Sequence, residues 1–267
     1  MKDIVIVRGG GDIATGTIQK LYRSGFKVLV LEIDKPTAIR RNVSFGEAVY
    51  SGETIVEGIK GVLVKTEEEI KSSWEKGSIP IVIDAKGEFI NIIKPNIVVD
   101  GILAKKNLGT YKNLAPITVA LGPGFKAGVD VDVVIETMRG HNLGRLIFEG
   151  TAIENTGVPG EIAGYSKERV IYCPGDGVIK NISNIGDIVK KDQVIAYIGK
   201  EEVLATIDGI LRGIIKDGSN VYKGLKIGDI DPRLKEIENY TTISDKARSI
   251  GGGVLEGILI MKKIKNI

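Results

Sequence analysis

A run of apolar residues that ends in three glycines constrains the fold of this chain most. The segment 3–9, DIVIVRG, is rich in β-branched residues and stops at a glycine, which is typical of a buried β-strand. Residues 9–14 then read G-x-G-x-x-A, and apolar residues recur at helical spacing from Ala14 to Ser24. A strand, a glycine-rich turn and a helix in this order are the context in which dinucleotide-binding turns occur.

This glycine turn, residues 9–14, is predicted to bind the phosphates of a nucleotide. One glycine permits the tight turn, a second lets a phosphate approach the backbone, and the start of the helix offers N–H donors and a partial positive charge. The predicted contacts are Gly9, Gly10, Gly11, Asp12 and Ile13. Asp12 departs from the usual pattern because it places a negative charge beside the phosphate; it would instead cap the helix, or hold a metal or a ribose. The alternative is a tight turn that binds no ligand.

An acidic residue at the end of the second predicted strand extends this site. The strand KVLVLEID contains Glu32, which lies 23 residues after Gly9. A carboxylate at this position accepts hydrogen bonds from the hydroxyl groups of a ribose. Asp34, two residues later, is the second choice for the same role.

A second glycine-rich segment, residues 121–145, repeats the order of strand, loop and helix. Asp130 is predicted to cap a helix over residues 130–138. Gly122 and Gly124 free the backbone of the loop before it. Two such loops at the carboxyl ends of parallel strands would face one crevice, so both glycines are assigned to ligand binding.

A basic cluster of Arg139, His141 and Arg145 follows this predicted helix. Two guanidinium groups beside an imidazole suit the recognition of a phosphate or a carboxylate, so these three residues are also assigned to ligand binding. His141 is the only histidine of the chain and is the candidate for general acid–base catalysis. The alternatives are a solvated turn and a structural histidine.

The order of elements predicts an α/β fold with a small β domain near the C-terminus. Strand and helix signals alternate in the first half, and its continuous apolar strands indicate a Rossmann-like parallel sheet covered by helices. A repeat follows, because the segments that begin at Asp176 and Asp208 share seven residues at an offset of 32. Two such copies suit a small barrel-sandwich that resembles biotinyl/lipoyl domains. The predicted domains are 1–165 (Rossmann-like, nucleotide-binding), 166–235 (barrel-sandwich) and 236–267 (a helix packed back on the first domain).

Composition limits the classes of function. The hydrophobic fraction of 43% supports a large core, and the net charge of +3 is spread without a Lys/Arg stripe, which argues against nucleic acid as a partner. One cysteine and one histidine exclude an internal disulfide and the common cysteine or histidine metal sites, so no metal is expected. No apolar run reaches transmembrane length and Met1 leads directly into a strand, so we expect a soluble cytoplasmic protein that binds no membrane and could form homo-oligomers.

Five segments together resemble the YqeB-type accessory proteins of selenium-dependent molybdenum hydroxylases. They are RGGGDIATG, ALGPGFKAGVDVDVVIETMRGHNLGR, NTGVPG, LRGIIKDGSNVYKGLKIGDIDPR and ISDKARSIGGGVLE. The resemblance implies a role in hydroxylase maturation, with the hydroxylase or its maturation machinery as partner. The first half is also similar to the Rossmann-type domain of XdhC-like molybdenum cofactor chaperones. That similarity implies a molybdenum cofactor dinucleotide or a related nucleotide as ligand, with its pyrophosphate at Gly9–Gly11.

Three hypotheses for function stay open on the sequence. The first is a maturation factor for selenium-dependent molybdenum hydroxylases that binds such a nucleotide. The second is a NAD-dependent oxidoreductase that uses the same crevice, and the third is a non-catalytic scaffold that docks a client hydroxylase. Neither a tyrosine–lysine pair nor a cysteine–histidine pair stands out as catalytic, so the sequence assigns no catalytic residue and leaves open whether the chain is an enzyme.

Overall fold

The structure, a computed structural model, describes residues 3–157 and 160–267. The motif NTGVPG lies partly outside the described residues, as does the chain start at Met1. Two compact units are present. The first contains the chain up to Pro36 together with Ser44–Asn155 and Ile243–Ile267, and the second contains Thr37–Val43 and Thr156–Thr242.

The first unit is built on a mixed β-sheet. Its strands are β1 Ile4–Arg8, β2 Lys27–Glu32, β3 Glu53–Val56, β4 Ile59–Leu63, β5 Ile79–Ile83, β6 Ile97–Asp100, β7 Ile117–Leu121, β8 Lys126–Ala127, β9 Val133–Ile135, β10 Leu146–Ile147 and β11 Gly150–Thr151. Nine of them form one sheet in the order β10-β9-β7-β6-β1-β2-β5-β4-β3, and β8 pairs with β11. The strands from β9 to β4 are parallel, whereas β10 and β3 pair antiparallel at the edges. The central strands are continuous apolar runs because both of their faces are covered.

The described helices of this unit are α1 Asp12–Arg23, α2 Ala48–Ser51, α3 Glu67–Glu75, α4 Glu88–Ile93 and α5 Asp245–Lys265. α1 confirms the helix predicted after the glycine turn. α3 begins with a capping box, in which the side chain of Thr66 accepts a hydrogen bond from the N–H of Glu69. Within the described residues, none of the helices is long and apolar enough to cross a membrane.

α1 and α5 pack closely because glycines face each other at their contact. A Cβ atom on Gly16 would collide with the carbonyl oxygen of Ala247, and a Cβ atom on Gly251 would lie 2.5 Å from the carbonyl oxygen of Gly16. Gly253 faces the carbonyl oxygen of Gly144 in the same way. These glycines in α5 therefore serve backbone packing.

The second unit consists of two antiparallel sheets around one apolar core. Its strands are β12 Val170–Tyr172, β13 Gly177–Asn181, β14 Ile188–Val189, β15 Val194–Ile198, β16 Glu201–Leu204, β17 Gly209–Ile214, β18 Asn220–Val221 and β19 Lys226–Asp231. They lie in the orders β12-β19-β17-β14 and β16-β15-β13-β18. Ile179, Ile195, Leu211 and Ile227 are among the fully buried residues of the core.

The two copies of the sequence repeat are intertwined in this unit. β13 of the first copy pairs with β18 of the second, and β14 of the first pairs with β17 of the second. The carboxylate of Asp176 accepts a hydrogen bond from the N–H of Lys223 at 2.7 Å, and that of Asp208 accepts one from the N–H of Lys191 at 2.8 Å. The aspartate and lysine that recur in the sequence therefore make the same contact twice, each time across the copies.

The predicted fold class, a Rossmann-like parallel sheet with a barrel-sandwich domain, is wrong. The first unit has a mixed sheet with an antiparallel strand at each edge, and the second unit has two separate antiparallel sheets. One edge pair, β3 and β4, is joined by a two-residue turn at Glu57 and Gly58, whose φ values of 45° and 80° are those of a tight hairpin turn. A glutamate where such turns usually have Asn or Asp conceals this hairpin in the sequence.

The helix predicted over residues 130–138 is also wrong. This segment contains β9, which pairs in parallel with β7. Its β-branched residues suit a strand better than a helix. No helix follows Asp130 in this segment, and its carboxylate instead accepts a hydrogen bond from the N–H of Lys126 at 2.7 Å. The loop with Gly122 and Gly124 therefore lacks the positive end of a helix that a phosphate site would use.

Candidate functional site

The candidate site lies at the carboxyl ends of β1, β2 and β6. β1 has β2 on one side and β6 on the other. The chain leaves β1 through α1 toward β2 and reaches β6 only after β5, so the order of strands reverses at β1. In open α/β sheets, ligands bind in the crevice beside the strand ends at such a point.

Two of the three glycines in the glycine turn are required by the packing of the chain itself. Gly9 has a φ of +91°, and a Cβ atom there would lie 3.0 Å from the Cα atom of Ile102. A Cβ atom on Gly10 would lie 2.8 Å from the backbone nitrogen of Gly46. Gly11 differs, because its φ of −65° suits any residue and no packed atom lies within 4 Å of its Cβ position. The space at Gly11 is therefore open to a ligand.

The start of α1 offers backbone N–H donors at this open space, and Asp12 in the same turn adds a negative charge. Gly11 is the N-cap residue, and its carbonyl oxygen accepts the hydrogen bond from the N–H of Thr15 at 2.8 Å. Backbone N–H groups in the first turn of a helix have no carbonyl partner inside the helix, so this end attracts an anion. Asp12 and Ile13 form this first turn and are partly exposed. Because Gly11 is the cap, the predicted capping role of Asp12 does not hold.

The end of β2 holds the glycine turn in place through Gly10. The N–H of Gly10 donates to Oε2 of Glu32 at 2.7 Å, and its carbonyl oxygen accepts from the N–H of Gly46 at 2.9 Å and from Oγ of Ser44 at 2.7 Å. Oε1 of Glu32 accepts from the N–H of Ile33 at 2.8 Å. Each carboxylate oxygen can accept one more hydrogen bond, and a ribose contact at Glu32 stays a prediction. Ser44 and Gly46 were not identified from the sequence, and only their position after β2 could have marked them.

A buried polar cluster at the ends of β1 and β6 was also not identified from the sequence. Arg8 and Asp100 are the last residues of these strands and lie opposite each other. Nη1 of Arg8 donates to the hydroxyl of Thr110 at 2.6 Å, and this hydroxyl donates to Oδ2 of Asp100 at 2.6 Å. All three residues are buried. A charged residue at the end of an apolar strand, in IVIVR and IVVD, is the signal that could have identified Arg8 and Asp100.

This cluster anchors the loop between Asp100 and Thr110, which lies between the two glycine-rich segments. The loop contacts Gly9 through Ile102, as described above. On its other side, a Cβ atom on Gly124 would lie 2.7 Å from the backbone nitrogen of Lys106. Gly122 and Gly124 have φ values of +76° and +107°, so backbone conformation and packing account for both glycines. Their contact with a ligand stays a prediction.

The basic cluster already has partners within the first unit. The guanidinium group of Arg139 donates to both carboxylate oxygens of Asp245, at 2.7 and 3.0 Å. Nη1 of Arg145 donates to Oδ1 of Asn142 at 3.1 Å, and His141 is exposed. A ligand that contacts Arg139 would have to compete with Asp245, so the assignment of Arg139, His141 and Arg145 to ligand binding stays a prediction.

Two carboxyl groups of the site have pKa values above their usual range. Burial raises the pKa of Glu32, although hydrogen bonds from the N–H groups of Ile33 and Gly10 act in the opposite direction. Burial also raises the pKa of Asp100, against the hydrogen bond from Thr110. Raised pKa values of this kind are common at ligand sites, where charge and burial are combined.

The raised pKa of Glu32 predicts how stability changes with pH. The folded protein binds this proton more tightly than the unfolded chain, so its stabilising contribution is complete at low pH and is lost as the pH rises through the folded-state pKa. We expect the free energy of unfolding of the wild type, relative to that of Glu32→Gln, to fall as the pH rises above about 4.3. Urea unfolding followed by the fluorescence of Trp74, the single tryptophan, measures it. A difference that stays constant with pH would contradict this prediction.

The chain matches no family model. It is 50% identical over 258 residues to the uncharacterized protein YqeB of Escherichia coli (strain K12), an alignment that covers 97% of this chain and 48% of YqeB. The chain therefore spans about half the length of the curated relative it matches. This similarity supports the YqeB label that the motifs indicate, and it says nothing about a role in hydroxylase maturation.

Solved structures show only weak similarity. The apo structure of the ectoine utilization protein EutE (DoeB) from Ruegeria pomeroyi is 12% identical with a TM-score of 0.27, and the match covers 86% of each chain. A succinylglutamate desuccinylase/aspartoacylase from Rhodobacter sphaeroides is 14% identical with a TM-score of 0.26, over 86% of this chain and 85% of that one. These scores are too low to support an inference about activity.

Proposed function

We propose, from the resemblance of five of its segments to accessory proteins of selenium-dependent molybdenum hydroxylases, that this chain is an accessory factor in the maturation of these enzymes and that its first unit binds a nucleotide. The ligand is a molybdenum cofactor dinucleotide or a related nucleotide. Its phosphate lies at Gly11 and its ribose at Glu32. The partner is the client hydroxylase or its maturation machinery.

The open space at Gly11 is the observation that carries the proposal. Neither the backbone conformation nor the packing of the chain requires a glycine at this position. A glycine also loses more conformational entropy on folding than a residue with a side chain. A ligand atom that approaches the backbone where a side chain would otherwise lie accounts for this glycine.

The charges around the turn favour a nucleotide over a simple anion. The start of α1 attracts a negative group, whereas Glu32 on the neighbouring strand offers hydrogen-bond acceptors. A ligand with a phosphate and nearby hydroxyl groups satisfies both. An anion without hydroxyl groups would gain from the helix but would be repelled by the carboxylate of Glu32 when it is ionised.

Mass spectrometry of released small molecules tests the proposed ligand. The protein is purified without oxygen and denatured, and Gly11→Val, prepared in the same way, serves as the blank. We expect a pterin–nucleotide from the wild type and none from the variant. Release of NAD(H) would favour the oxidoreductase hypothesis instead. Absence of any nucleotide from the wild type, together with no binding of added nucleotides, would contradict the proposal.

Rescue of a strain that lacks the protein tests the accessory role. We expect the wild-type protein to restore the activity of the molybdenum hydroxylase and Gly11→Val to fail at equal protein levels. Equal rescue by both would show that hydroxylase maturation does not require ligand binding at the turn.

A further inference from the structure

A cleft at the amino ends of β6 and β7, the opposite end of the strands from the glycine turn, has no part in the proposed function. It is an open cleft of about 580 Å³, a volume within the range of small-molecule sites. Its walls come from the end of α4, the segments that lead into β6 and β7, and the end of α5. Apolar residues such as Ile90 and Leu114 line it together with three lysines and three asparagines.

Two of the lysines meet at a single buried carboxylate. Nζ of Lys265 lies 2.9 Å from both oxygens of Asp132, and Nζ of Lys112 lies 3.7 Å from Oδ1. Oδ2 of Asp132 also accepts a hydrogen bond from the N–H of Thr118 at 2.9 Å. One carboxylate therefore faces two ammonium groups, and Lys94 adds a third positive charge to the lining of the cleft.

The backbone of Lys94 is in a conformation that a lysine adopts only at a cost. It caps the C-terminus of α4 in the left-handed region, with a φ of 49° and a ψ of 64°. Helices usually have glycine in this conformation, because a Cβ atom crowds the backbone there. A glycine at this position would relieve the strain, so the side chain of Lys94 can be removed without a cost in stability.

We propose that this cleft binds a small organic molecule with two negative charges, such as a phosphate monoester or a dicarboxylate. The charged end contacts Lys94 and Lys112, and the apolar part lies against Ile90 and Leu114. Two ammonium groups left in excess of one carboxylate match a doubly charged group. This site is separate from the glycine turn, and it does not depend on the function proposed above.

Calorimetry and NMR with phenyl phosphate and succinate test the site. We expect saturable binding of at least one of them, with a Kd of about 10⁻⁴–10⁻³ M. Tighter binding of phenyl phosphate would identify the ligand as a phosphate monoester, and tighter binding of succinate would identify it as a dicarboxylate. Because the glycine turn is also expected to attract phosphate, the side-chain amide resonances of Asn91, Asn96 and Asn113, which line the cleft, locate the binding. They should shift on titration.

Two matched variants make the test specific. Lys94→Gly should weaken binding at least about tenfold, while its melting temperature stays the same or rises. Lys105→Gly is the control, because Lys105 is exposed and has a similar φ of 61°, but does not line the cleft. It should bind like the wild type. Lys265 is left intact because it holds Asp132. Unchanged affinity in Lys94→Gly, an equal loss in Lys105→Gly, or titration without shifts of the three asparagines would overturn the proposal.

Discussion

Replacing Gly11 with valine is expected to abolish nucleotide binding while the protein still folds. The φ of −65° and ψ of 174° at this position are ordinary for a β-branched residue, and no packed atom lies within 4 Å of the Cβ position. The new side chain therefore fills the space that the phosphate is proposed to occupy. We expect a loss of at least about 3 kcal/mol in binding free energy, more than a hundredfold in Kd, measured by calorimetry with the nucleotide that mass spectrometry identifies.

Gly9→Ala is the matched control in the same turn. Gly9 has a φ of +91°, and its Cβ position lies 3.0 Å from the Cα atom of Ile102, so even a methyl group should destabilise the fold. We expect a clearly lower melting temperature for Gly9→Ala and a smaller decrease for Gly11→Val, because valine is a less favourable N-cap residue than glycine. Unchanged nucleotide affinity in a folded Gly11→Val protein would show that the nucleotide does not bind at the turn.

Short-range elements of this fold could be predicted from the sequence, whereas the strands at the edges of its sheet could not. The strand, turn and helix at residues 3–24 follow from hydrophobic spacing and from the glycines, which act within a few residues. The hairpin at Glu57 and Gly58 lacks the usual turn residues, and the strand β9 was mistaken for a helix because its apolar run is short. Short apolar runs do not distinguish strand from helix by spacing alone, so the predicted fold class failed at these places.

The candidate site shows the same division between local and distant contacts. Glu32 was identified because a fixed spacing connects it to the glycine turn. Thr110 could not be identified, because its contact with Arg8 spans 102 residues and depends on the register between β1 and β6. The roles predicted for Gly9 and Gly11 were also incomplete, since only the structure shows that Gly9 is constrained by packing and Gly11 is not.

Replacing Gly251 with alanine is expected to destabilise the first unit by about 2 kcal/mol or more. The added methyl group would lie 2.5 Å from the carbonyl oxygen of Gly16 and 2.8 Å from its carbonyl carbon, both in the backbone of α1. Backbone atoms cannot rotate away as a side chain would, so α5 must shift from α1. Urea unfolding followed by Trp74 measures the effect, because Nε1 of Trp74 donates to the carbonyl oxygen of Val28 inside the first unit.

Gly252→Ala, one residue further along α5, should change stability in the opposite direction. The nearest packed atom to its Cβ position is Cε of Lys20 at 3.8 Å, the flexible end of a side chain. Alanine favours a helix by about 1 kcal/mol over glycine, so this variant should be more stable than the wild type by about that amount. The same substitution at neighbouring positions thus separates the effect of helix propensity on stability from the effect of the backbone contact. If both variants were stabilised, α1 and α5 would not pack through Gly16 and Gly251. In that case α5 would not fix the position of α1, the helix that follows the glycine turn.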